Sequence, residues 1–150
     1  MSIEVRAAEA ADAAGMKRCV EAAYRHYIPR MGMSPGPMLE DYAIVIDRHA
    51  SFVAESDGEI VGVLVLIQTE SGTLLDNVAV HPAHQGKGLG RRLIDLAESE
   101  ARRRGSPQLD LYTHECMTEN IAMYTALDFA ETGRRTEKGY RRVYMRKMLT

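Results

Sequence analysis

The sequence predicts an α/β fold of the α+β kind, a mixed and mostly antiparallel sheet flanked by helices. Apolar and β-branched residues fill three consecutive runs that are separated by Asp-Gly and Ser-Gly turns, which is typical of a β meander. On either side of the meander, apolar residues recur at helical spacing. Helical segments around a meander favour a sheet that buries its faces under helices. The three runs are 51–56, 59–70 and 73–81.

The N-terminal part begins with a short strand and a helix. Residues 2–7 alternate apolar and charged side chains, which is the period of a strand. Asp12 is placed to cap the helix that follows, and Pro29 is expected to end it. The apolar residues of this helix share one face and are Met16, Val20, Ala23, Tyr24 and Tyr27.

A loop and a second helix precede the meander. Residues 29–38 are rich in proline, glycine and methionine, which predicts an unusually apolar loop. The helix is expected over 39–50, with Leu39, Tyr42 and Ile46 turned inward.

The C-terminal part alternates helices and strands. An amphipathic helix is predicted from Leu89 to the region of Gly105, where glycine ends it. A strand over 108–115, a short helix over 118–127 and a closing strand over 140–148 follow. The meander, the helix and the next strand therefore form one strand–helix–strand crossover.

Composition excludes several classes of function. The chain of 150 residues is 45% hydrophobic and 27% charged with a formal net charge of −2, as expected for one domain over 1–150 with no preference for nucleic acid or an anionic membrane. The first residues lack the apolar core of a signal peptide, and no apolar run reaches the length of a membrane span. Two cysteines, Cys19 and Cys116, do not make a disulfide framework and indicate reduced thiols in a cytoplasmic protein.

Residues 85–90 read QGKGLG and stand between a strand and a helix. Glycines at a helix start let free N–H groups approach an anion, and the helix dipole favours negative charge there. A P-loop is excluded because Lys87 is followed by Gly88 rather than Ser or Thr. A dinucleotide fingerprint is excluded because Arg91 occupies the position of its third glycine.

This stretch resembles the Arg/Gln-x-x-Gly-x-Gly/Ala signature of the GNAT superfamily of N-acetyltransferases, which cradles the pyrophosphate of acetyl-coenzyme A. Residues 124–129 resemble the family's second segment, a helix ending in Tyr-x-x-x-Gly-Phe, with Asp128 in the place of the glycine. Where the family often carries Asn, seven positions before that tyrosine, this chain has Met117. Because the order of elements also matches, the resemblance covers nearly the whole chain. It implies the GNAT-type acyl-CoA N-acyltransferase fold.

The resemblance implies acetyl-CoA as cosubstrate and no metal. Backbone groups of the strand before the glycines would pair with the pantetheine arm, and Asn120 could take over the contact of the missing Asn. His81 and His84 lack further partners at zinc-ligand spacing. The expected donor-binding residues are Val78, Ala79, Val80, Gln85, Gly86, Lys87, Gly88, Leu89, Gly90, Arg91, Asn120 and Tyr124.

The implied reaction is direct attack of a primary amine on the thioester through a tetrahedral intermediate. A thiol leaves with a pKa of about 8.5 and benefits from a proton donor, for which the resemblance suggests Tyr124. The base stays open among Asp76, Asn77, His114 and Glu115, any of which could order a water. Glu115 and Asp76 are favoured, and the competing interpretation is that both are solvated carboxylates at strand ends.

The acceptor is expected to be a small molecule or a peptide amine, and the sequence does not identify it. The resemblance places the loop over 29–38 beside the acceptor, where its methionines would form a flexible apolar wall. A non-catalytic domain of the same fold that senses acyl-CoA is the alternative. A homodimer is left open, because the strand over 140–148 could pair with a second copy if it lies at the sheet edge.

Overall fold

The computed structural model describes residues 2–149, and its centre is one sheet of seven strands in the order β1-β2-β3-β4-β5-β7-β6. Among the described strands, β4 and β5 pair in parallel and all other neighbours are antiparallel. The mixed, mostly antiparallel sheet that the sequence predicts is thereby confirmed. The strands are β1 Glu4–Ala7, β2 Ala50–Ser56, β3 Glu59–Gln68, β4 Thr73–Val80, β5 Gln108–His114, β6 Ala130–Glu137 and β7 Tyr140–Met148.

Helices cover both faces of this sheet. Alternation along β3 turns Leu64 and Leu66 toward one apolar cluster and Val63 and Val65 toward another. The first cluster lies under α4 and the second under α1 and α3. None of these helices, within the part of the chain that the structure describes, is long and apolar enough to cross a membrane. The helices are α1 Ala13–Tyr24, the single turn α2 Ile28–Met31, α3 Tyr42–Arg48, α4 Leu89–Arg103 and α5 Thr118–Ala126.

The first helix begins and ends differently from the prediction. The Asp12 carboxylate accepts a hydrogen bond from the backbone N–H of Glu9 and two from Arg6, so it closes the turn before α1 instead of capping α1. Pro29 does not end α1, which stops at Tyr24, but lies in the first turn of α2. Proline is tolerated there because its missing N–H has no partner within the helix.

The helix α3, which follows α2, begins later than predicted. The side chain of Asp41 accepts a hydrogen bond from the N–H of Ala43 at 3.1 Å and starts α3 at Tyr42, three residues later than expected. Leu39 therefore precedes the helix and is 68% exposed, so its expected inward position is wrong. Tyr42 is buried as predicted.

The sequence reading misses β6 altogether. Nearly every residue of β6 is exposed, and neither face carries the apolar alternation that marks a strand. Its signal is Lys138-Gly139, both at positive φ, which closes the hairpin to β7. Since β7 pairs with β5 on one side and β6 on the other, the expectation that 140–148 forms a free edge for a second copy is wrong.

Gly62 gives a test of how α4 packs on the sheet. A Cβ there would lie 3.0 Å from Ala54 Cβ, 3.2 Å from Leu93 Cδ1 and 3.4 Å from Leu89 Cδ2. Gly62→Ala is expected to lower the free energy of unfolding by about 1–3 kcal/mol, because a well-packed interface has no room for a methyl group. Urea unfolding measures the change.

Gly133→Ala is the matched control, because Gly133 also lies in a strand and a Cβ there meets nothing within 4 Å. Equal urea concentrations at the unfolding midpoints of the two variants would show that α4 does not pack against Gly62 as described.

Candidate functional site

The two parallel strands at the centre of the sheet diverge. β4 and β5 pair from Thr73 opposite Leu109 only to Leu75 opposite Leu111. At this point β4 carries a bulge, because consecutive residues of β3 face Leu75 and Asn77 and leave Asp76 as the extra residue. A bulge bends its strand and increases the local twist. The result is an open edge on β4 that faces the diverging β5.

Main-chain groups of Val78 and Val80 point to this open edge. The N–H of His81 donates to Val61 of β3, and backbone groups alternate in direction along a strand, so those of Val78 and Val80 face away from β3. Their carbonyls accept side-chain hydrogen bonds at 3.0 Å, from the Tyr24 hydroxyl and from the Gln85 amide. The N–H groups of the same residues are directed into the cleft.

The glycine loop follows directly and begins α4. Gly86 and Gly88 have φ of 78° and 82°, a left-handed conformation that disfavours any residue with a Cβ. Gly88 is the N-cap of α4 and supplies no side chain to the first N–H groups of the helix. These unpartnered donors and the helix dipole form a cradle for an anion at the end of the open edge.

A cleft runs from this loop along β4 to α5. Arg91 lines it and adds a positive charge near the helix start, whereas the exposed Lys87 lies outside its lining. Every other residue that the sequence predicts to bind the donor lines the cleft: Val78, Ala79, Val80, Gln85, Gly86, Gly88, Leu89, Gly90, Asn120 and Tyr124.

A second cavity lies next to this cleft. It shares four lining residues with the cleft, namely Tyr24, Val78, Asn120 and Tyr124. The cleft and the cavity therefore meet at these four residues, which we call the shared wall and which include Tyr124.

Tyr124 is buried, with 5% of its surface exposed, and its ring packs edge-on against Phe129. Burial raises the pKa of its hydroxyl far above the ordinary value, so the phenol stays protonated. Within residues 2–149 no buried side-chain nitrogen or oxygen lacks a hydrogen-bond partner, and Tyr124 makes no side-chain hydrogen bond there. Its hydroxyl is therefore directed to the open space and not to the packed core.

Asp76 lines the second cavity at the bulge. Burial and then the charge of Glu40 raise the pKa of its carboxyl, while a hydrogen bond from the Tyr112 hydroxyl at 3.4 Å lowers it. Burial raises the pKa of Tyr112 to about 12, which keeps that donor protonated. Asp76 is thus a carboxylate with increased basicity beside the shared wall.

Glu115, the other predicted base, is placed differently. Its carboxylate lies 3.6 Å from Nε of Arg141, and it lines neither the cleft nor the cavity. The neighbouring His114 does line the cavity, but its Nδ1 accepts a hydrogen bond from the N–H of Cys116. That bond leaves the ring proton on Nε2, and burial lowers the pKa of His114. Of the two favoured bases, Asp76 alone lines the cavity.

A buried polar network that the sequence reading missed holds the wall in place. The Tyr24 hydroxyl lies 3.0 Å from Oδ1 of Asn77, whose Nδ2 donates to the Tyr42 hydroxyl at 3.0 Å. Tyr42 in turn donates to the carbonyl of Pro37 at 2.7 Å. The one signal in the sequence is Asn77, a polar residue inside a strongly apolar strand that needs buried partners.

The cavity residues that the sequence did not indicate include Glu40, Tyr112, Tyr140 and Arg142. Among residues 2–149, no group of three or more His, Cys, Asp or Glu side chains is placed to hold a metal ion. His81 uses its Nδ1 to accept the N–H of Ala83, and its ring centroid lies 6.3 Å from that of His84.

An open strand edge, a glycine cradle at a helix start and divergent central strands together define the acyl-CoA N-acyltransferase fold. The chain belongs to the acetyltransferase (GNAT) family, whose model matches residues 16–129. The resemblance that the sequence motifs carry is confirmed by this match.

The relatives differ in what their names say they act on. L-methionine sulfoximine/L-methionine sulfone acetyltransferase of Salmonella typhimurium is 37% identical over 67 residues, 45% of this chain and 39% of the relative. IAA acetyltransferase of Azospirillum brasilense is 36% identical over 83 residues, 54% of each chain. The chain thus spans about half the length, or less, of the curated relatives that it matches.

Solved structures share the fold along almost the whole chain. The PaiA N-acetyltransferase of Thermoplasma acidophilum, in complex with coenzyme A, has a TM-score of 0.81 at 19% identity and covers 99% of each chain. YncA of Salmonella typhimurium with acetyl-CoA has a TM-score of 0.74 at 22% identity, over 100% of this chain and 95% of the other.

Gly88→Ala tests the glycine cradle. A Cβ there meets no atom within 4 Å, so the strain comes from the positive φ alone and is expected to cost roughly 1–2 kcal/mol. The loop avoids this strain by changing its backbone, which turns the N–H donors away, so the affinity for coenzyme A should fall at least about tenfold. Isothermal titration calorimetry with coenzyme A measures it.

Gly58→Ala is the matched control, since Gly58 has φ of 80° and equally empty surroundings but lies in the β2–β3 hairpin. It should lose similar stability and keep its affinity. A Gly88→Ala variant that binds coenzyme A as tightly as Gly58→Ala would contradict a role of this loop in binding the donor.

Proposed function

We propose that this protein is an acetyl-CoA-dependent N-acetyltransferase that transfers the acetyl group to a primary amine of a small molecule or peptide. The observation that carries the proposal is the shared wall. The cleft at the glycine loop and the cavity at Asp76 meet at Tyr124, so a donor in one and an acceptor in the other would come together there.

The residues of the cleft fit coenzyme A. The left-handed glycines and the first N–H groups of α4 would hold the pyrophosphate, with Arg91 as a further positive charge. The open edge of β4 offers the N–H groups of Val78 and Val80 to the amide-containing pantetheine arm. When bound, the cosubstrate supplies the activated acetyl group.

Asp76 and Tyr124 have protonation states that suit the transfer. The nitrogen of the amine forms a bond to the acetyl carbon, and the carbon–sulfur bond breaks. Asp76, with its increased basicity, takes the proton that the amine loses, and the protonated Tyr124 gives one to the departing sulfur. Glu115 is the second candidate for the base, and we favour Asp76 because it lines the cavity.

Tyr124→Phe separates catalysis from binding. Removal of the hydroxyl is expected to lower kcat by about 100-fold or more, because the sulfur then leaves without a proton donor. The affinity for coenzyme A should change little, since the ring that packs on Phe129 stays. Thiol release with a panel of amines and calorimetry with coenzyme A measure the two quantities.

Tyr144→Phe is the control, because Tyr144 lines neither the cleft nor the cavity. Unchanged turnover in Tyr124→Phe would contradict the acid role. Tight binding of coenzyme A with no thiol release from any amine, by the unaltered protein, would favour the sensing alternative.

The pH dependence of activity tests Asp76 as the base, with two substitutions that should shift its pKa in opposite directions. A base must be deprotonated, so activity rises with pH through the pKa of Asp76. Glu40→Gln removes a charge that raises this pKa and should move the low-pH limb of kcat/KM to lower pH. Tyr112→Phe removes the hydrogen bond that lowers the pKa and should move the limb to higher pH.

Asp76→Asn should abolish the limb together with most of the activity. The charges of His49 and Arg142, which also lower this pKa, stay in place in both tests. A limb that stays at the same pH in Glu40→Gln and in Tyr112→Phe would assign it to a group other than Asp76.

A further inference from the structure

The second cavity carries negative and positive side chains, and the proposed transfer gives a role only to the negative ones. Asp76 and Glu40 line it with carboxylates, and Arg142 of β7 lines it with a guanidinium. Arg142 lies close enough to Asp76 for its charge to lower the pKa of that carboxyl. Neither the donor nor the proton transfers give this arginine a role.

Arg142 is held in a fixed position. Its guanidinium carbon lies 4.3 Å from the ring centroid of Tyr112 and 5.6 Å from that of Tyr140. Nη1 lies 3.3 Å from a carboxylate oxygen of Glu137, and 21% of the side chain is exposed. Aromatic rings on the guanidinium limit its motion and leave its edge free, so little freedom is lost when it binds an anion.

The geometry of a guanidinium selects the kind of anion. Its planar edge presents parallel N–H donors that match the two oxygens of a carboxylate. Glu137 engages Nη1 and does not line the cavity, so further donors of Arg142 remain for a molecule inside it. An acceptor in this cavity thus has a cationic group at one side and Asp76 at the other.

The remaining wall is uncharged. Met31 at the end of α2, and Pro35 and Pro37 from the segment between α2 and α3, line the same cavity. Tyr42 fixes this segment through its hydrogen bond to the carbonyl of Pro37. A side chain that packs on these three residues is best uncharged, because they offer no partner to a charged group.

We propose that the acceptor is an amino acid with an uncharged side chain, whose carboxylate pairs with Arg142 while its primary amine faces Asp76. The proposal rests on the proposed N-acetyl transfer and specifies its substrate class. A polyamine would bring a second positive charge toward Arg142, and a peptide N-terminus has no carboxylate near its amine. Both are therefore poorer matches to this pair of charges.

The test compares three forms of one substrate. Leucine, leucinamide and isoamylamine share a carbon skeleton, and only leucine carries the carboxylate. The same set is built on methionine, with methioninamide and 3-(methylthio)propylamine. Thiol release from acetyl-CoA is measured for each. We expect kcat/KM to be about 10- to 100-fold higher for the better of the two amino acids than for its amide or amine, the range of a charge-assisted hydrogen bond.

The amide is the stricter comparison. Its amine loses a proton more readily than that of the amino acid, so a preference for the amino acid cannot come from amine basicity. Equal rates for amino acids, amides and amines, or faster rates for the forms without carboxylate, would overturn the proposal and leave N-acetyl transfer standing.

Arg142→Met links the preference to the residue. Loss of its charge also raises the pKa of Asp76, which affects both substrates of a pair alike. The readout is therefore the ratio of kcat/KM for leucine to that for leucinamide within each variant, and Arg142→Met should bring this ratio close to one. Arg135→Met is the matched control, because Arg135 is the register partner of Arg142, also lies over a tyrosine ring at 4.1 Å and does not line the cavity. It should keep the preference.

Arg142→Lys covers the case in which the methionine variant does not fold. It keeps the charge and loses the paired donors, so the preference should fall without disappearing. A preference that survives in both Arg142 variants would overturn the proposal. Failure of the proposed function looks different: no substrate in either set releases thiol, and coenzyme A does not bind.

Discussion

The divergence of β4 and β5 is the constraint on which the rest of this site depends. Buried backbone groups need partners, and a strand that loses its neighbour must find them elsewhere. In this protein the carbonyls of Val78 and Val80 are satisfied by Tyr24 and Gln85, while their N–H groups stay directed into the cleft. The fold thus leaves donors free inside the sheet, where an extended ligand can take the place of the missing strand. The glycine loop lies at the end of this edge because β4 leads directly into α4.

The bulge at Asp76, where β4 and β5 diverge, also helps to form the second cavity. An extra residue in β4 directs Asp76 to the cavity, while the next residue, Asn77, joins a buried network. That network runs from Tyr24 through Asn77 and Tyr42 to the carbonyl of Pro37, so three separate elements are fixed to the bulge. A half-satisfied network would be costly in a buried position, which is why the segment before α3 is held over the cavity.

The sequence predicted the parts of the site that depend on local spacing. Residues 85–90 and Tyr124 belong to short motifs, and all of them except Lys87 line the same cleft. Arg142 and Glu40 could not be found in this way, because they reach the cavity through pairing between segments that lie far apart in the chain. The strand β6 was missed for a different reason: an edge strand with polar faces lacks hydrophobic periodicity. Leu39 was misplaced because Asp41 starts α3 after it.

The shared wall also shows which residues can differ without a change in the cleft at the glycine loop. Tyr24, Val78, Asn120 and Tyr124 border both spaces, so a change in the size of any of these side chains alters both spaces at once. Gly88 and Arg91 border the cleft alone, and Asp76, Glu40 and Arg142 border the cavity alone. In the proposed transfer, selectivity for the acceptor can therefore vary through the second set while the cradle for the donor stays intact. This separation is a consequence of the sheet: the cleft takes consecutive residues of β4 and α4, whereas the cavity collects residues from β4, β5, β7 and the segment before α3.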